Sequence, residues 1–200
     1  KIESGDEKKL NALKGETMAV IALCQFDLTR CFGYPYTKDN GASLGAPLID
    51  HLVGTYENPS RSTVAQAYDF IIETLEEAVT LMSEEKNNGR MNKYAARALL
   101  ARVYLYHNDN RKAFDMADQL IKDVDASGSY ALYPHEKYVA AWSVETKFGS
   151  ESFFEIANSV DDTPGRDSWG YLLNWYGYQK GFVTQKYAEQ MLADPGDVRG

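Results

Sequence analysis

The hydrophobic positions of residues 94–121 follow the period of an α-helix twice, with a short polar turn between the two runs. In the first run, Leu100, Ala101 and Tyr104 recur at the spacing that places side chains on one helical face. The second run repeats this spacing at Ala113, Phe114, Ala117, Leu120 and Ile121. The turn between them, residues 107–110, is short enough to favour antiparallel neighbours, so the segment predicts a helical hairpin.

Two upstream segments, residues 17–32 and 63–82, have the same helical character and contain no glycine or proline. Their apolar stripes are formed by Met18, Ile21, Ala22, Phe26 and Leu28, and by Val64, Tyr68, Ile72, Leu75 and Val79. We therefore predict two antiparallel helix pairs. The predicted helices cover residues 17–32, 64–82, 91–107 and 111–122.

The spacing of the second helix pair resembles the tetratricopeptide-repeat pattern, with Asn108 in place of the usual turn glycine. Repeats of this kind bury their apolar faces against neighbouring repeats, so the first pair is expected to stack on the second. About thirty residues separate the first two helices, where a repeat normally has a tight turn. We interpret residues at about 33–62 as an inserted loop.

The remaining segments predict little regular structure. Residues 127–142 fit an irregular or short extended connection, and residues 151–158 are the best candidate for a strand. Thr184 can cap a helix that ends before residues 194–196. The expected fold is all-α, with tetratricopeptide-like helical-repeat pairs, irregular loop extensions, little strand and at most one small hairpin. We expect one domain over residues 1–200, with an irregular aromatic-rich extension at about 127–183.

Composition narrows the classes of function. The 200 residues are 44% hydrophobic and 25% charged, which is typical of a globular protein with one sizeable core. The net charge of −8 and the lack of a Lys/Arg stripe argue against nucleic acid as a partner. The sequence has no run of 18 apolar residues and nothing like a signal peptide or a lipid-attachment site, so we expect a soluble chain as given.

The residues that could carry chemistry form no recognisable site. Cys24 and Cys31 lie about 10.5 Å apart along one predicted helix, so they cannot pair, and we expect them to be buried small hydrophobes. The histidines lack the spacing of metal ligands, so no metal site or cofactor is predicted. The sequence also lacks catalytic motifs, and the paired glutamates at 76–77 and 84–85 are typical of a solvated helix surface. We predict no enzymatic activity.

Five segments in order resemble one family of proteins. They are "KGETMAVIALCQFDLTRCFGYPYTKDNGASLGAPLI" (14–49), "STVAQAYDFIIETLEEA" (62–78), "GRMNKYAARALLARVYLYHNDNRKAFDMADQLI" (89–121), "ESFFEI" (151–156) and "DPGDVRG" (194–200). Together they resemble the SusD/RagB family of surface lipoproteins of Bacteroidetes. The resemblance implies a non-enzymatic protein that captures an oligosaccharide, or another nutrient such as a peptide, and passes it to a SusC-like TonB-dependent transporter in the outer membrane.

Family members are usually more than twice as long and carry a signal peptide and a lipidated cysteine, so the resemblance implies a fragment of a protein held at the cell surface by a lipid anchor. It also implies that the helix pair at 94–121 is scaffold. Binding residues in the family lie in variable loops, so no ligand-binding position can be transferred by motif.

Residues 166–182 are the leading candidate for a binding site, because six aromatic residues alternate there with glycine-containing turns. Aromatic faces can cover the apolar face of a sugar ring, and Asn174, Asp167 and Gln179 could bind its hydroxyls. The candidate ligand-binding residues are Trp169, Tyr171, Asn174, Trp175 and Tyr176. The alternative is that these aromatic residues fill the core.

The inserted loop offers a second candidate site at residues 33–45, with Tyr36, Asp39 and Asn40 as possible ligand-binding residues. A docking surface or a simple connector is the alternative interpretation of this loop. A different class of function also stays open, a helical-repeat adaptor that binds a peptide or protein partner. An adaptor would need a concave helical face lined with Asn, Lys or Arg, whereas glycan capture needs exposed aromatic residues in loops.

Overall fold

The computed structural model describes residues 5–142, 147–159, 161, 163–174 and 176–197. The chain folds as two compact units, Lys1–Ala131 and Leu132–Gly200. The first unit contains four long helices and a small sheet, and the second contains short helices joined by irregular segments. The predicted fold class, mainly helical with little strand, is confirmed.

All four predicted helices are present in the first unit: α1 (Glu7–Phe32), α2 (Val64–Leu81), α3 (Lys93–Tyr106) and α4 (Asn110–Ser127). Helix α1 begins well before the predicted residue 17. Its start is set by Asp6, whose carboxylate accepts hydrogen bonds from the backbone N–H groups of Lys8 (3.0 Å) and Lys9 (3.3 Å). The polar first turns carry no apolar period, so the pattern that predicts the rest of the helix does not reveal them.

Side-chain caps also fix the starts of the other three helices. Thr63 and Gln66 form a capping box at α2, and Asn92 accepts a hydrogen bond from the backbone N–H of Ala95 at α3. Asp109 caps α4 in the same way. The turn before it contains Asn108 with a φ of 70°, the left-handed conformation that the usual glycine of this repeat would adopt.

Helices α1 and α2 pack antiparallel. Near the start of α1, the Cβ of an alanine at Gly15 would lie 2.9 Å from the carbonyl oxygen of Ala78, near the end of α2. At the other end of the pair, Gly33 is adjacent to Val64, the first residue of α2. Helices α3 and α4 are antiparallel as well, because Arg97 in the first turns of α3 forms an ion pair of 2.7 Å with Asp123 near the end of α4. The predicted two antiparallel pairs are confirmed.

Helix α2 lies at the centre of the first unit, because it packs against both α1 and α3. Its Ile71 and Leu75 are fully buried, together with Phe26 of α1 and Leu100 of α3. The predicted stripe of α2 was partly wrong, since Ile71 is in the core and Ile72 is half-buried. Four other apolar residues of the predicted stripes are exposed because α1 and α4 lie at the ends of the helical array: Ile21, Leu28, Phe114 and Ile121.

The expectation that both cysteines are buried was wrong, because Cys24 and Cys31 are exposed. The buried face of α1 passes through Ala22, Phe26 and Thr29. At 3.6 residues per turn, the cysteines fall on the opposite side of the helix from these residues. They are free thiols, as their separation along the helix requires.

The inserted loop contains the only sheet in the part of the chain that the structure describes. Strands β1 (Leu44–Pro47) and β2 (Arg61–Thr63) pair antiparallel, and the Nε2 of Gln25 donates a 3.1 Å hydrogen bond to the carbonyl of Pro47. The predicted strand at 151–158 was wrong, because the described residues there form turns and irregular structure. A strand needs a hydrogen-bonding neighbour, and this segment has none in the described sheet.

The described residues of the second unit form three short α-helices: α5 (Tyr138–Ala141), α6 (Trp169–Leu173) and α7 (Gln185–Leu192). The predicted cap of α7 is confirmed, since the Thr184 hydroxyl accepts a hydrogen bond from the backbone N–H of Tyr187. None of the described residues of this unit is buried, so it has no core of its own comparable to that of the first unit.

Within the inserted loop, one histidine contacts two carboxylates. His51 lies 2.6 Å from a carboxylate oxygen of Asp50 through Nδ1 and 2.6 Å from one of Glu57 through Nε2. The hydrogen bonds with Asp50 and then Glu57 raise the pKa of His51 above its ordinary value. The pKa of Asp50 is lowered by His51, and that of Glu57 is lowered by the backbone N–H of Gly54 and by His51.

The burial of Leu100 predicts a large loss of stability on truncation. Leu100 is 1% exposed, and Leu100→Ala should lower the free energy of unfolding by about 2–5 kcal/mol. Leu105→Ala on the same helix is the matched control, because Leu105 is 56% exposed and its truncation should cost less than about 0.5 kcal/mol. Urea denaturation of both variants measures the difference, and equal losses would contradict the helix packing.

The close approach at Gly15 predicts that alanine destabilises the α1–α2 pair. An alanine Cβ would lie 2.7 Å from the Cγ of Met82 as well as close to the Ala78 carbonyl oxygen, and this oxygen belongs to the α2 backbone. Overpacking should outweigh the gain of about 1 kcal/mol in helix propensity, giving a net loss of about 1 kcal/mol or more. Asn11→Ala, at an exposed position of α1, should be neutral or slightly stabilising. A Gly15→Ala variant with a raised melting temperature would show that the two helices are not in close contact.

The charge pairs of His51 predict a pH window for the order of this loop. Because its pKa is raised, His51 stabilises the folded loop at pH values below its ordinary pKa of 6.5, and this contribution is lost as pH rises through the shifted pKa. Because their pKa values are lowered, Asp50 and Glu57 stabilise the folded loop at pH values above their ordinary pKa values of 3.8 and 4.5. This contribution is lost as pH falls through the shifted values. The loop should therefore be best ordered between about pH 4.5 and 6.5.

An NMR titration should give His51 a pKa above 6.5, and Glu57→Gln should lower it. Glu73→Gln on α2 is the control, because Glu73 is not among the groups that hydrogen-bond to His51. A His51 pKa that is unchanged in Glu57→Gln would show that the pair is absent in solution.

Candidate functional site

The aromatic segment of the second unit folds back on itself as a compact turn. Helix α6 begins after Ser168, whose hydroxyl accepts a 3.1 Å hydrogen bond from the backbone N–H of Tyr171. After the helix the chain reverses, so that the backbone N–H of Tyr178 donates to the carbonyl of Tyr171 (3.0 Å) and that of Lys180 donates to Leu172 (2.9 Å). These bonds bring both ends of the segment together.

This turn depends on the lack of a side chain at Gly177. A Cβ there would lie 1.8 Å from the carbonyl oxygen of Tyr171, which is inside van der Waals contact. The Asn174 side-chain oxygen accepts a 2.8 Å hydrogen bond from the backbone N–H of Tyr176 and fixes the tip of the turn. The rings of Tyr171 and Tyr178 pack edge to face, with centroids 5.2 Å apart.

The turn borders a cavity of about 390 Å³ that is open to solvent. Its lining consists of Ser168, Gly170, Tyr171, Asn174, Tyr176 and Gly177. The structure thus brings together three of the predicted site residues, Tyr171, Asn174 and Tyr176, and it places Trp169 on the same short helix. The fifth, Trp175, lies outside the described residues. The cavity combines aromatic surface with the amide of Asn174 and the hydroxyl groups of serine and tyrosine side chains.

Four described aromatic side chains of this segment lie at the surface, those of Trp169, Tyr176, Tyr178 and Phe182. Trp169 is 79% exposed, Tyr176 is 92% exposed, and Phe182 is also largely exposed. Gln179 has a φ of 52°, which is uncommon for a residue with a side chain and is typical of a tight turn. In this chain the segment therefore presents aromatic faces to solvent.

The second candidate loop belongs to the first unit and is held there by packing. The half-buried Tyr36 ring lies 4.2 Å from the His107 ring and 5.6 Å from the Tyr68 ring, measured between centroids. Burial raises the pKa of Tyr68 to about 12. These contacts attach the loop to α2 and to the end of α3.

Asp39 and Asn40 occupy the tight turn that follows Tyr36. The Asp39 carboxylate accepts a hydrogen bond from the Ser43 hydroxyl, which lowers the pKa of Asp39. Asn40 has a φ of 56° and precedes Gly41, so this pair of residues reverses the chain. Each of the three predicted residues of this loop has a local structural role.

A second cavity, of about 560 Å³, lies in the first unit between the start of α1 and residues 82–92. Three of its polar side chains, Glu16, Arg90 and Asn92, are engaged within the protein. The Nε of Arg90 donates a 2.9 Å hydrogen bond to Glu16, and the Nδ2 of Asn92 donates a 2.7 Å hydrogen bond to the hydroxyl of Tyr130. These three side chains are therefore already used within the fold.

The described residues contain no group of three or more His, Cys, Asp or Glu side chains placed to hold a metal ion. Among the helices formed by these residues, none is both long enough and apolar enough to cross a membrane.

Sequence reasoning missed three residues that line the aromatic cavity: Ser168, Gly170 and Gly177. Ser168 had a readable signal, because serine three residues before Tyr171 fits a helix N-cap. Gly177 had none, since its closeness to Tyr171 exists only once the turn has formed.

Comparison with known proteins gives a consistent result. Residues 1–105 match the family model of SusD-like proteins described as "Starch-binding associating with outer membrane". No match was found among curated proteins. A SusD superfamily protein from Bacteroides vulgatus is 96% identical, with a TM-score of 0.95, over 100% of this chain and 45% of its own.

Two other solved structures show the range of similarity. A SusD superfamily protein from Bacteroides thetaiotaomicron is 35% identical with a TM-score of 0.84, over 97% of this chain and 43% of its own. A laminarin-binding SusD-like protein is 26% identical with a TM-score of 0.60, over 84% of this chain and 34% of its own. The chain thus spans less than half the length of these relatives, and by its match to the family model it belongs to the SusD-like family.

Proposed function

We propose that this chain is part of a surface protein that binds an oligosaccharide without cleaving it, and that the cavity of the aromatic turn at residues 168–177 contributes to the glycan site. The observation that carries the proposal is the cavity itself, in which Tyr171, Asn174 and Tyr176 converge in a member of a family described as starch-binding. A laminarin-binding relative is consistent with a glycan as the ligand.

The chemistry of the cavity suits a sugar. A pyranose ring has an apolar C–H face that stacks on aromatic rings and hydroxyl groups that need hydrogen-bond partners. Tyr176 supplies a largely exposed ring in the lining, and Trp169 supplies a second exposed ring on α6, two residues before Tyr171. The Tyr171 ring packs on Tyr178. The Asn174 oxygen is used within the turn, so its amide NH₂ is the group that would donate to a sugar hydroxyl. Trp175, Tyr36, Asp39 and Asn40 stay secondary candidates.

Capture without cleavage implies a partner that takes the ligand onward. A SusC-like TonB-dependent transporter would receive the glycan, with the binding protein held at the outer membrane by a lipid anchor. The family description, which places these proteins in association with the outer membrane, supports this arrangement. The helical unit would then serve as scaffold, since its helices pack around a shared buried core.

The alternative of a peptide-binding adaptor has less support. Such an adaptor needs a concave helical face with unpaired Asn, Lys or Arg side chains. The cavity at the start of α1 contains these residue types, and two of them are already paired, Arg90 with Glu16 and Asn92 with Tyr130. The exposed aromatic surface in the second unit favours a glycan.

The glycan proposal predicts a selective binding defect in two variants. A suitable protein is a chimera in which residues 1–200 replace the matching part of the 96% identical Bacteroides vulgatus relative. An array of plant, fungal and host glycans first identifies an oligosaccharide that the chimera binds. Trp169→Ala and Tyr176→Ala should each weaken its binding by about 1 kcal/mol or more, roughly five-fold in Kd, because each removes a stacking surface. Calorimetric titration measures the change.

The chain offers matched controls for both substitutions. Trp142→Ala and Tyr56→Ala remove side chains that are 74% and 95% exposed and lie outside the aromatic segment at residues 166–182, so these variants should bind at full strength. Circular dichroism confirms that each variant is folded. Full-strength binding by a folded Trp169→Ala, Tyr176→Ala double variant would contradict this site, and failure of the unmodified chimera to bind any glycan would contradict the function. Release of reducing ends from the bound glycan would show an enzyme instead.

A further inference from the structure

Helix α1 has a second apolar face opposite the one that packs on α2. From Val20 to Phe32 its residues recur at helical spacing and form a continuous stripe, and Leu13 extends the same face two turns further, beyond Thr17. Most of its large side chains are about 40% exposed, and Phe32 is 68% exposed. The stripe, which we call the outer face of α1, consists of Leu13, Val20, Ile21, Cys24, Leu28 and Phe32.

At its C-terminal end the outer face runs into a groove. Leu28 and Phe32 line a cavity of about 560 Å³ with Ala46, Pro47 and Ile49, which belong to or follow strand β1. Arg61 forms the rim of this groove, and it is held in place by hydrogen bonds to the carbonyl groups of Gly45 (2.7 Å) and Leu44 (2.9 Å). These hydrogen bonds fix the shape of the groove within residues 1–200, and its lining is mainly apolar.

The polar groups beside the outer face already have partners within the chain. The Thr17 hydroxyl donates to the carbonyl of Leu13 (2.9 Å), so it needs nothing from a covering surface. Asp27 is paired with Arg30, and Glu16 with Arg90. Covering this face would leave no donor or acceptor among these groups without a partner, which favours an apolar protein surface over a sugar or a charged ligand.

A terminal helix of a repeat array normally has a polar outer face that faces water. The outer face of α1 does not fit this pattern, since extended apolar patches on soluble proteins usually mark an interface. The 96% identical relative superimposes on the whole chain with a TM-score of 0.95, yet this chain covers only 45% of it. The backbone of α1 therefore has the conformation found in a protein more than twice as long.

We propose that the outer face of α1 and the groove beside β1 form an internal interface. In a protein of the relatives' length, they pack against the part of the polypeptide that lies outside residues 1–200. This packing joins the first unit to the remainder of the protein. The proposal is independent of which ligand the second unit binds. The alternative is that a second copy of the protein covers this face, and crosslinking distinguishes the two possibilities.

Cys24 is a natural probe of this interface because it lies in the middle of the outer face. In the chimera defined above, the rate of maleimide modification of Cys24 is measured by mass spectrometry in buffer and in urea. We expect modification in buffer to be at least about ten-fold slower than in urea, because the remainder of the chain covers the thiol. Leu52→Cys is the control, since Leu52 is 96% exposed and lies in the inserted loop, so its thiol should react rapidly in both conditions.

Photocrosslinking identifies what covers the face. Val20 is replaced by benzoylphenylalanine in the chimera, and the crosslinked peptides are sequenced after proteolysis. Crosslinks within one chain to peptides outside residues 1–200 are the expected result. Crosslinks between two chains would assign the face to a second copy and overturn the proposal. The proposal would also be overturned if Cys24 reacted in buffer as fast as the cysteine of Leu52→Cys and position 20 gave no crosslink.

Discussion

An aromatic cluster around Phe26 holds the first unit together. The Phe26 ring is fully buried and meets the rings of Tyr68 and Tyr106 edge to face, with centroids 6.2 and 5.4 Å away. The guanidinium of Arg30 lies 5.1 Å from the Phe26 ring and 5.5 Å from the Tyr106 ring. Because Tyr36 packs on Tyr68, one set of contacts joins α1, α2, α3 and the inserted loop. The packing of α1 and α3 on α2 and the position of the loop all converge on this cluster.

The exposed apolar surfaces of the two units differ in chemistry, and this difference separates their proposed roles. The outer face of α1 is aliphatic and sulfur-containing, apart from Phe32 at its end, and the polar groups beside it are paired within the chain. The turn at residues 168–177 instead places aromatic rings beside an amide and a hydroxyl in a concave surface. A surface without free hydrogen-bonding groups suits another part of a polypeptide, whereas aromatic rings with polar neighbours suit a sugar.

The sequence predicts the helices well because their signals are local. The periods of α2, α3 and α4 and the caps Thr63 and Thr184 lie within a few residues of the elements that they define. Burial is predicted less well, because it depends on how many neighbours a helix has. Cys24 fits an apolar stripe but is not covered by any of the described residues, and Ile71 lies in the core where Ile72 was expected. The aromatic cavity is similar: its rings are visible as a cluster in the sequence, but the turn that aligns them requires Gly177, whose role appears only in three dimensions.

The unequal connections between the helices have a consequence for the order of folding. Helices α3 and α4 are joined by residues 107–109, whereas residues 33–63 separate α1 from α2. Closing the longer connection costs more chain entropy, by on the order of 2 kcal/mol on a simple loop-closure estimate. We expect the α3–α4 hairpin to form early from local contacts, and α1 to dock on α2 only after it. The inserted loop would then set the rate at which the first unit is completed, and Phe26, which lies on the late-docking helix, would enter the aromatic cluster last.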